Sequence, residues 1–319
     1  MPARESVAHE ASTARDGVDD VLVAGASGYL GSRLVPRLLA RGHRVRALVR
    51  GGARRAARIP HLEGCEIADG DLFEPASLLP AARGMRTVVH LVGILKERGP
   101  ATFESVHVNG TAALVQAARE GFCERFLYVS AIGARRDAPT AYWRTKFRAE
   151  EMVRNSGLEW LILRPSIVFA RDGEFYSILS RLVAIPLVPV LGPGTSRLAP
   201  IPAGDLADIE VAALSRSGAW NAVHAVCGAE TYTFNELLRA VARGRRRPAF
   251  LVHVPLALAR PLVRLAGALL PDPPVTSDQV AMLAEDSICP DGPESIARAF
   301  GVRPGSIAPI LAGEKERAH

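Results

Sequence analysis

Tyr142 and Lys146 stand four residues apart in the segment Ala141-Tyr-Trp-Arg-Thr-Lys146. On a helix that spacing puts both side chains on one face. The ammonium can hold a sugar hydroxyl and lower the pKa of the phenol through its charge. The phenol can then pass a proton while a cofactor moves hydride. The chain has five tyrosines, and its only lysines are Lys96, Lys146 and Lys315, so chance seldom makes such a pair. Two readings stay open: the pair turns a substrate over, or it only binds the cofactor.

A second group of residues points to the cofactor itself. Gly25-Ala-Ser27-Gly28-Tyr29-Leu30-Gly31 follows an apolar run, Asp20–Ala24, and precedes a helical pattern with Leu30, Leu34, Leu38 and Leu39 on one side and Gly42 as its stop. Strand, glycine turn and helix in that order form the context of a dinucleotide-binding turn. One glycine permits the tight turn, one admits the pyrophosphate close to the backbone, and one lets the helix pack near the strand. The helix start then offers N–H groups and a partial positive charge to the phosphates. The next strand ends in Leu48-Val49-Arg50. An acid at that point would bind a ribose 2′-hydroxyl, whereas a guanidinium attracts a 2′-phosphate. Arg50, followed by Arg54 and Arg55, favours NADP(H), with NAD(H) as the alternative.

Strand-like and helix-like segments continue to alternate: Val45–Val49, Glu66–Ala68, Pro75–Arg83, Thr87–Val92, Phe103–Glu120, Arg125–Ser130, Tyr142–Ser156 and Trp160–Leu163. This rhythm predicts an α/β fold, a Rossmann-type doubly wound parallel sheet covered on both faces. Past residue 170 the rhythm loosens, prolines cluster between Pro186 and Pro202, and helices are expected over Phe234–Ala242 and Leu256–Leu270. The expected division is a flexible tail at 1–19, a nucleotide-binding domain at 20–170, a smaller α/β lobe at 171–312 interleaved with it, and a tail at 313–319.

Composition bounds the remaining options. The 319 residues are 48% hydrophobic and 23% charged, which excludes a disordered or collagenous chain. The formal net charge is +6, supplied almost wholly by arginine. No nucleic-acid-binding motif accompanies it, so no nucleic-acid partner is expected. Cys65, Cys123, Cys227 and Cys289 lie far apart without a CxxC pair, so neither a zinc site nor a disulfide is expected. His107, His224 and His253 show no metal-ligand spacing, and His90, inside an apolar run, reads as a packed core histidine. No metal is expected. Residues 1–20 lack the hydrophobic region of a signal peptide, which suggests a cytoplasmic setting. Val254–Leu270 combines leucines with Arg260 and Arg264. It reads either as a core helix or as a surface for a quinone or the inner face of a membrane.

The GxxGxxG spacing resembles the extended and atypical short-chain dehydrogenase/reductases. Gly70-Asp71-Leu72 is similar to their adenine-contacting segment, and Val89-His-Leu91-Val92-Gly93 to the strand that lines the cofactor. Val108-Asn-Gly-Thr111 resembles the helix motif that follows. Leu163-Arg-Pro165-Ser166 resembles the loop beside the nicotinamide, and Ile201–Ala207 a later segment of the family. Within that superfamily, Tyr128–Ala134, Ala141–Lys146, Leu163–Phe169 and Thr231–Leu237 most resemble the branch of the alpha-subcomplex subunit nine of respiratory complex I and its bacterial relatives. The resemblance spans about residues 20–312. It implies tight NADP(H) binding, with accessory-subunit or quinone-linked roles in some members. Active extended members carry a Ser or Thr donor just after the fifth strand. Here Ser130 is one turn early, and Ala131 and Ile132 cannot donate. A second departure is Ala170, where many members have glycine. Three hypotheses follow: a tight NADP(H)-binding protein linked to complex I or quinones; an active oxidoreductase or nucleotide-sugar epimerase; and a membrane-surface module with a vestigial nucleotide site.

Overall fold

The first strand, β1 (Asp20–Ala24), is apolar on both sides because both faces of its sheet are covered. Val21 and Val23 enter one hydrophobic cluster while Leu22 and Ala24 enter the other. The same alternation recurs in β5 (Arg125–Val129), where Leu127 and Val129 face one way and Phe126 and Tyr128 the other. The computed structural model describes residues 18–255, 257 and 276–313.

Between these strands run α1 (Gly31–Ala40), β2 (Arg44–Val49), α2 (Gly52–Ala56), β3 (Glu66–Asp69), α3 (Leu78–Ala82), β4 (Thr87–His90) and α4 (Gly110–Glu120). After β5 come α5 (Ala141–Arg154) and β6 (Glu159–Pro165), and a later strand, β11 (Ala222–Val226), closes the sheet. The order is β11-β6-β5-β4-β1-β2-β3, and every pairing is parallel. Reversal of strand order beside β1 makes the crevice where a doubly wound sheet binds its ligand. The fold class read from the sequence is therefore the observed one. Helices α1 and α7 (Ala203–Leu214) pack on one face of the sheet, with α3, α4 and α5 on the other.

The remaining elements are β7 (Val168–Phe169), α6 (Glu174–Leu182), β8 (Leu187–Leu191), β9 (Arg197–Leu198), β10 (Ile201–Pro202), β12 (Tyr232–Thr233), α8 (Phe234–Gly244) and β13 (Phe250–Val254). They are followed by α9 (Ser277–Leu283), α10 (Glu294–Phe300) and α11 (Ala308–Ala312). Phe169, Leu179, Val188, Val190, Phe234, Leu237, Leu238 and Val241 build a separate apolar cluster in this half. Thr233 caps α8 in a reciprocal capping box with Glu236.

Two expectations change. Phe103–Glu120 is not one uniform helix: Glu104–Asn109 forms a wide π-type turn before α4. Such turns accommodate a locally inserted side chain and recur at functional sites. Cys227 and Cys289 form a disulfide, with Cα atoms 5.9 Å apart, against the expectation of none. Their 62-residue separation hides a proximity created by tertiary packing, since Cys227 follows β11 and Cys289 lies on the segment after α9. The expected helix Leu256–Leu270, apart from residue 257, and with it nearly all of the proposed quinone or membrane surface Val254–Leu270, lies outside the described residues, as do residues 1–17 and 314–319. No helix among the described residues is long and apolar enough to cross a membrane.

Candidate functional site

The glycine turn sits at the C-terminal end of β1, directly beside the end of β4. Gly25 adopts φ +94°, and a Cβ there would lie 3.1 Å from the Leu91 Cβ and 3.2 Å from the Val92 nitrogen. Both the backbone shape and the space demand glycine. Gly31 is equally constrained, since a Cβ would come within 2.3 Å of the Ala26 carbonyl oxygen. Gly28 differs: a Cβ there would approach only the Gly25 oxygen, at 3.2 Å, and the residue is exposed. Gly25 and Gly31 thus serve the fold, and Gly28 keeps the mouth of the turn clear. Among the described residues no side chain caps α1, and no acid occupies its first turn. Ser27 is exposed, while Tyr29 and Leu30 are half-buried beside it. A pyrophosphate fits this cradle: its outer glycine is open, α1 has no acid of its own in its first turn, and the Asp172 carboxylate nearby is paired with Arg33.

Arg50 directly follows β2, with its side chain 59% exposed and 3.9 Å from an Asp71 carboxylate oxygen. That distance exceeds a hydrogen bond, so the guanidinium is not locked. Asp71 accepts from the Phe73 amide at 3.1 Å, and Leu72 packs against Gly110, where a Cβ would lie 3.1 Å away. Asp69, at the end of β3, accepts from the Gly51 amide at 3.0 Å. Arg54 and Arg55 are exposed on α2.

The second half of the site is the inward stripe of α5. Thr140 caps the helix by accepting from the Trp143 amide at 3.2 Å. Tyr142, Lys146 and Glu150 then follow at four-residue steps, 7%, 4% and 0% exposed. Lys146 Nζ donates to the Val129 carbonyl at the end of β5 at 2.9 Å and lies 4.9 Å from the centre of the Tyr128 ring. It also backs the loop after β4: a Cβ on Gly93 would stand 3.1 Å from Nζ. Burial lowers the Lys146 pKa to about 8, against an upward pull from Glu150. Burial pushes the Tyr142 phenol above its ordinary value. The expected lowering by Lys146 is therefore overridden by desolvation.

His107 is the participant that sequence reasoning missed. It comes from the π-type turn, stacks on Phe103 and meets the edge of Tyr142, with ring centres 5.5 and 5.4 Å apart. Its Nε2 accepts from the Ile94 amide at 3.1 Å, and Nδ1 lies 3.0 Å from Thr145 Oγ1. The Thr145 hydroxyl is within 2.8 Å of the Ala141 carbonyl and 2.9 Å of that of Tyr142, so it donates there and accepts from Nδ1–H. Burial, with help from the Lys146 charge, lowers the His107 pKa to about 2 and keeps the ring neutral. The histidine thereby ties the loop after β4 to the first turn of α5. The signal in the sequence was only a histidine between two valines.

Ser130 is buried, and its hydroxyl donates to Glu150 Oε1 at 2.6 Å. Glu150 also accepts from Arg154 at 2.6 Å and from Arg164 at 2.8 and 2.6 Å. Ser130 thus belongs to a buried ionic cluster under the site. Pro165 is buried, and its carbonyl accepts from the Ile132 amide at 3.0 Å. The Ser166 hydroxyl is within hydrogen-bonding range of the Ser287 carbonyl and hydroxyl, at 2.7 and 3.0 Å. Ser287 belongs to a strap that runs from α9 across this side of the molecule. Asp278 accepts from the Tyr142 amide at 3.2 Å, Met282 packs on the Phe103–Tyr142–Trp143 cluster, and Glu285 pairs with Arg135 at 2.8 Å. His90 is fully buried, 3.0 Å from Thr111 Oγ1 and edge-on to Phe126. That environment is a packed core, as its sequence position implied. Among the described residues, no group of three His, Cys, Asp or Glu side chains is placed to hold a metal.

Comparison with known proteins agrees with this fold. The sequence model of the family described as NAD(P)H-binding matches residues 25–184. A ceramide reductase of Caulobacter vibrioides is 31% identical over 261 residues, covering 81% of this chain and 79% of that protein. The mitochondrial NADH dehydrogenase [ubiquinone] 1 alpha subcomplex subunit 9 of Arabidopsis thaliana is 26% identical over 89% of this chain and 75% of its own length. An NADPH-dependent quinone oxidoreductase from Escherichia coli, solved with NADPH, superposes with a TM-score of 0.73 at 17% identity, covering 92% of this chain and 98% of that one.

Proposed function

Since the chain belongs to the NAD(P)H-binding family of short-chain dehydrogenase/reductase type, we propose that it binds NADP(H) tightly in the crevice between α1 and α5 and works in quinone-linked or complex I-related metabolism. Gly25, Ser27, Gly28, Tyr29, Leu30 and Gly31 would hold the pyrophosphate. Arg50 would take the 2′-phosphate, and Asp71 and Leu72 the adenine side. Leu91, Val92, Gly93, Lys146, Pro165 and Ser166 would line the nicotinamide half. The observation that carries this reading is Lys146, a buried cation set against Gly93 at the mouth of the β1–β4 crevice. The bound cofactor would supply hydride; the chain's part is to orient it and to hold a proton on the Tyr142 phenol, which burial keeps neutral.

Active reduction of an apolar carbonyl substrate or a quinone is the second reading. It is favoured by the apolar ring of Phe103, Trp143, Ile94 and Met282 around Tyr142 and by the reductases among the relatives. Ser130, spent on Glu150, argues for the binding role instead. Mass spectrometry of the ligand carried through native purification tests the first reading: NADP(H) is expected, and an empty protein that gains no affinity for added NADPH refutes it. Steady NADPH oxidation with a quinone or a lipid ketone, lost in Tyr142→Phe while NADPH binding persists, selects the second. A cytoplasmic location, against a membrane or away from it, belongs to the same proposal.

A further inference from the structure

In a half-buried sheet the outward row of each strand is normally polar. The parallel pair β8 and β13 breaks that rule. Phe250 pairs with Leu187, Val252 with Pro189, and Val254 with Leu191. Val188 and Val190 point into the third apolar cluster, and Leu251 packs against it. By alternation, Leu187, Pro189, Leu191, Phe250, Val252 and Val254 form the opposite row. Its exposed members are large: Leu187 is 64% exposed, Phe250 65% and Val252 45%, with Ile185 at 52% just before β8. A contiguous apolar face of this kind on a water-soluble surface marks a contact site.

Charge decides what it contacts. No Asp or Glu occurs between Glu174 and Asp205, nor between Glu236 and Asp272, the two stretches that supply this sheet. Arginines stand instead at the end where β8 and β13 begin. Arg181 is exposed at the end of α6, Arg243 in the last turn of α8, and Arg245, Arg246 and Arg247 at the turn that leads into β13. Arg247 donates to the Ala184 carbonyl at 3.1 Å, which fixes that turn beside Ile185. A second copy of the chain would bring two arginine clusters face to face. A nucleic acid would leave the apolar row wet. An anionic bilayer satisfies both features, because the apolar side chains enter the acyl boundary while the guanidiniums meet lipid phosphates.

We propose that the outward face of β8 and β13, with the arginines of the α8–β13 turn, docks this protein on an anionic membrane surface. The inference is independent of the nucleotide-site reading.

The test is co-sedimentation of the full chain with vesicles of phosphatidylcholine alone and of phosphatidylcholine with phosphatidylglycerol. The expected result is at least tenfold stronger partition onto the anionic vesicles, weakened by added salt. The double variant Phe250→Glu, Val252→Glu should lose at least tenfold of that partition, and Arg245→Glu with Arg246→Glu should lose it as well. These side chains are exposed, and unchanged NADPH affinity and circular dichroism would certify folding of the variants. Equal partition of wild type and the Phe250/Val252 variant would overturn the proposal. So would indifference to phosphatidylglycerol, or a concentration-dependent dimer of the wild type that these changes dissolve without any vesicle binding. A wild type that ignores NADPH yet binds anionic vesicles would fault the nucleotide reading and leave this one intact.

Discussion

Arg50→Glu separates the two dinucleotides. Arg50 is largely exposed and stands 3.9 Å from its nearest acid, so it can swing to a phosphate without breaking a hydrogen bond. A charge-assisted hydrogen bond at such a site is worth about 1.5 kcal/mol at the lower end of its range. Two unit charges about 6 Å apart in water-like surroundings interact by ~0.7 kcal/mol. Reversing the sign of Arg50 against a phosphate of nearly two charges, with salt screening, adds about 1.5 kcal/mol more. The sum, about 3 kcal/mol, corresponds to roughly a 100-fold rise in the Kd for NADPH. NADH lacks the phosphate, so its Kd should stay within about threefold. Arg50→Ala should lose only the hydrogen bond, roughly tenfold for NADPH. Titrations by calorimetry or nucleotide fluorescence at fixed ionic strength give both constants. Equal losses for NADPH and NADH, or no loss at all, would remove Arg50 from the 2′-phosphate.

Gly28→Val should abolish binding of both dinucleotides while thermal stability falls by no more than about 1 kcal/mol, because a Cβ there meets only one backbone oxygen; retained affinity would move the site elsewhere. Gly31→Ala, by contrast, drives a methyl into the Ala26 carbonyl and should lower the Tm sharply, which differential scanning fluorimetry would detect. Unfolded, Lys146 keeps its proton to about its ordinary value of 10.5, whereas folded it releases it near pH 8. The unfolded chain therefore holds more protons between those values, and wild-type stability relative to Lys146→Met should rise by about 2 kcal/mol from pH 8 to pH 10 in urea titrations; a flat difference would mean the ammonium is solvated. Cys289→Ser opens a loop of 62 residues and should cost up to about 4 kcal/mol of stability by loop entropy. An unchanged midpoint in non-reducing chemical denaturation would show that the bond does not form.

The parts of the site legible in the sequence were those whose geometry is local. A glycine turn between a strand and a helix declares itself within the short segment Asp20–Gly31, and the structure places it at the end of β1 as its context required. The four-residue step from Tyr142 to Lys146 is a property of one helix, and α5 presents both inward. What stayed hidden depends on elements brought together from afar. His107 reaches Thr145 across 38 positions, and Ser166 reaches Ser287 across 121. No periodicity encodes such meetings. The disulfide failed for the same reason, and the uniform helix over Phe103–Glu120 failed because spacing alone does not register a π-type turn. Ser130 was legible as a hydroxyl near the end of β5, but its commitment to Glu150 was not. The carboxylate lies 20 positions away and is itself held by Arg164 from β6.

That last cluster bears on how the site uses Lys146. A buried ammonium needs compensation, and the anion that pulls its pKa upward is Glu150. Yet Glu150 already accepts from Ser130, Arg154 and Arg164, so its charge is largely spent before the lysine is considered. The strongest fixed contact of Lys146 is then a neutral carbonyl, that of Val129. A cation held in this way is under-compensated, and its lowered pKa is the physical expression of that deficit. Polar hydroxyls brought within reach of its Nζ, beside Gly93, would relieve part of the deficit and raise the pKa again. Ligand binding and the charge of Lys146 are therefore linked. NADPH should bind more tightly as the pH falls through 8, with a dependence that disappears in Lys146→Met. Ser130→Ala would free one lone pair of Glu150, strengthen its hold on Lys146 and shift that dependence upward in pH. If the pH profile of NADPH affinity is the same in wild type and Ser130→Ala, the ionic cluster beneath α5 does not tune the lysine.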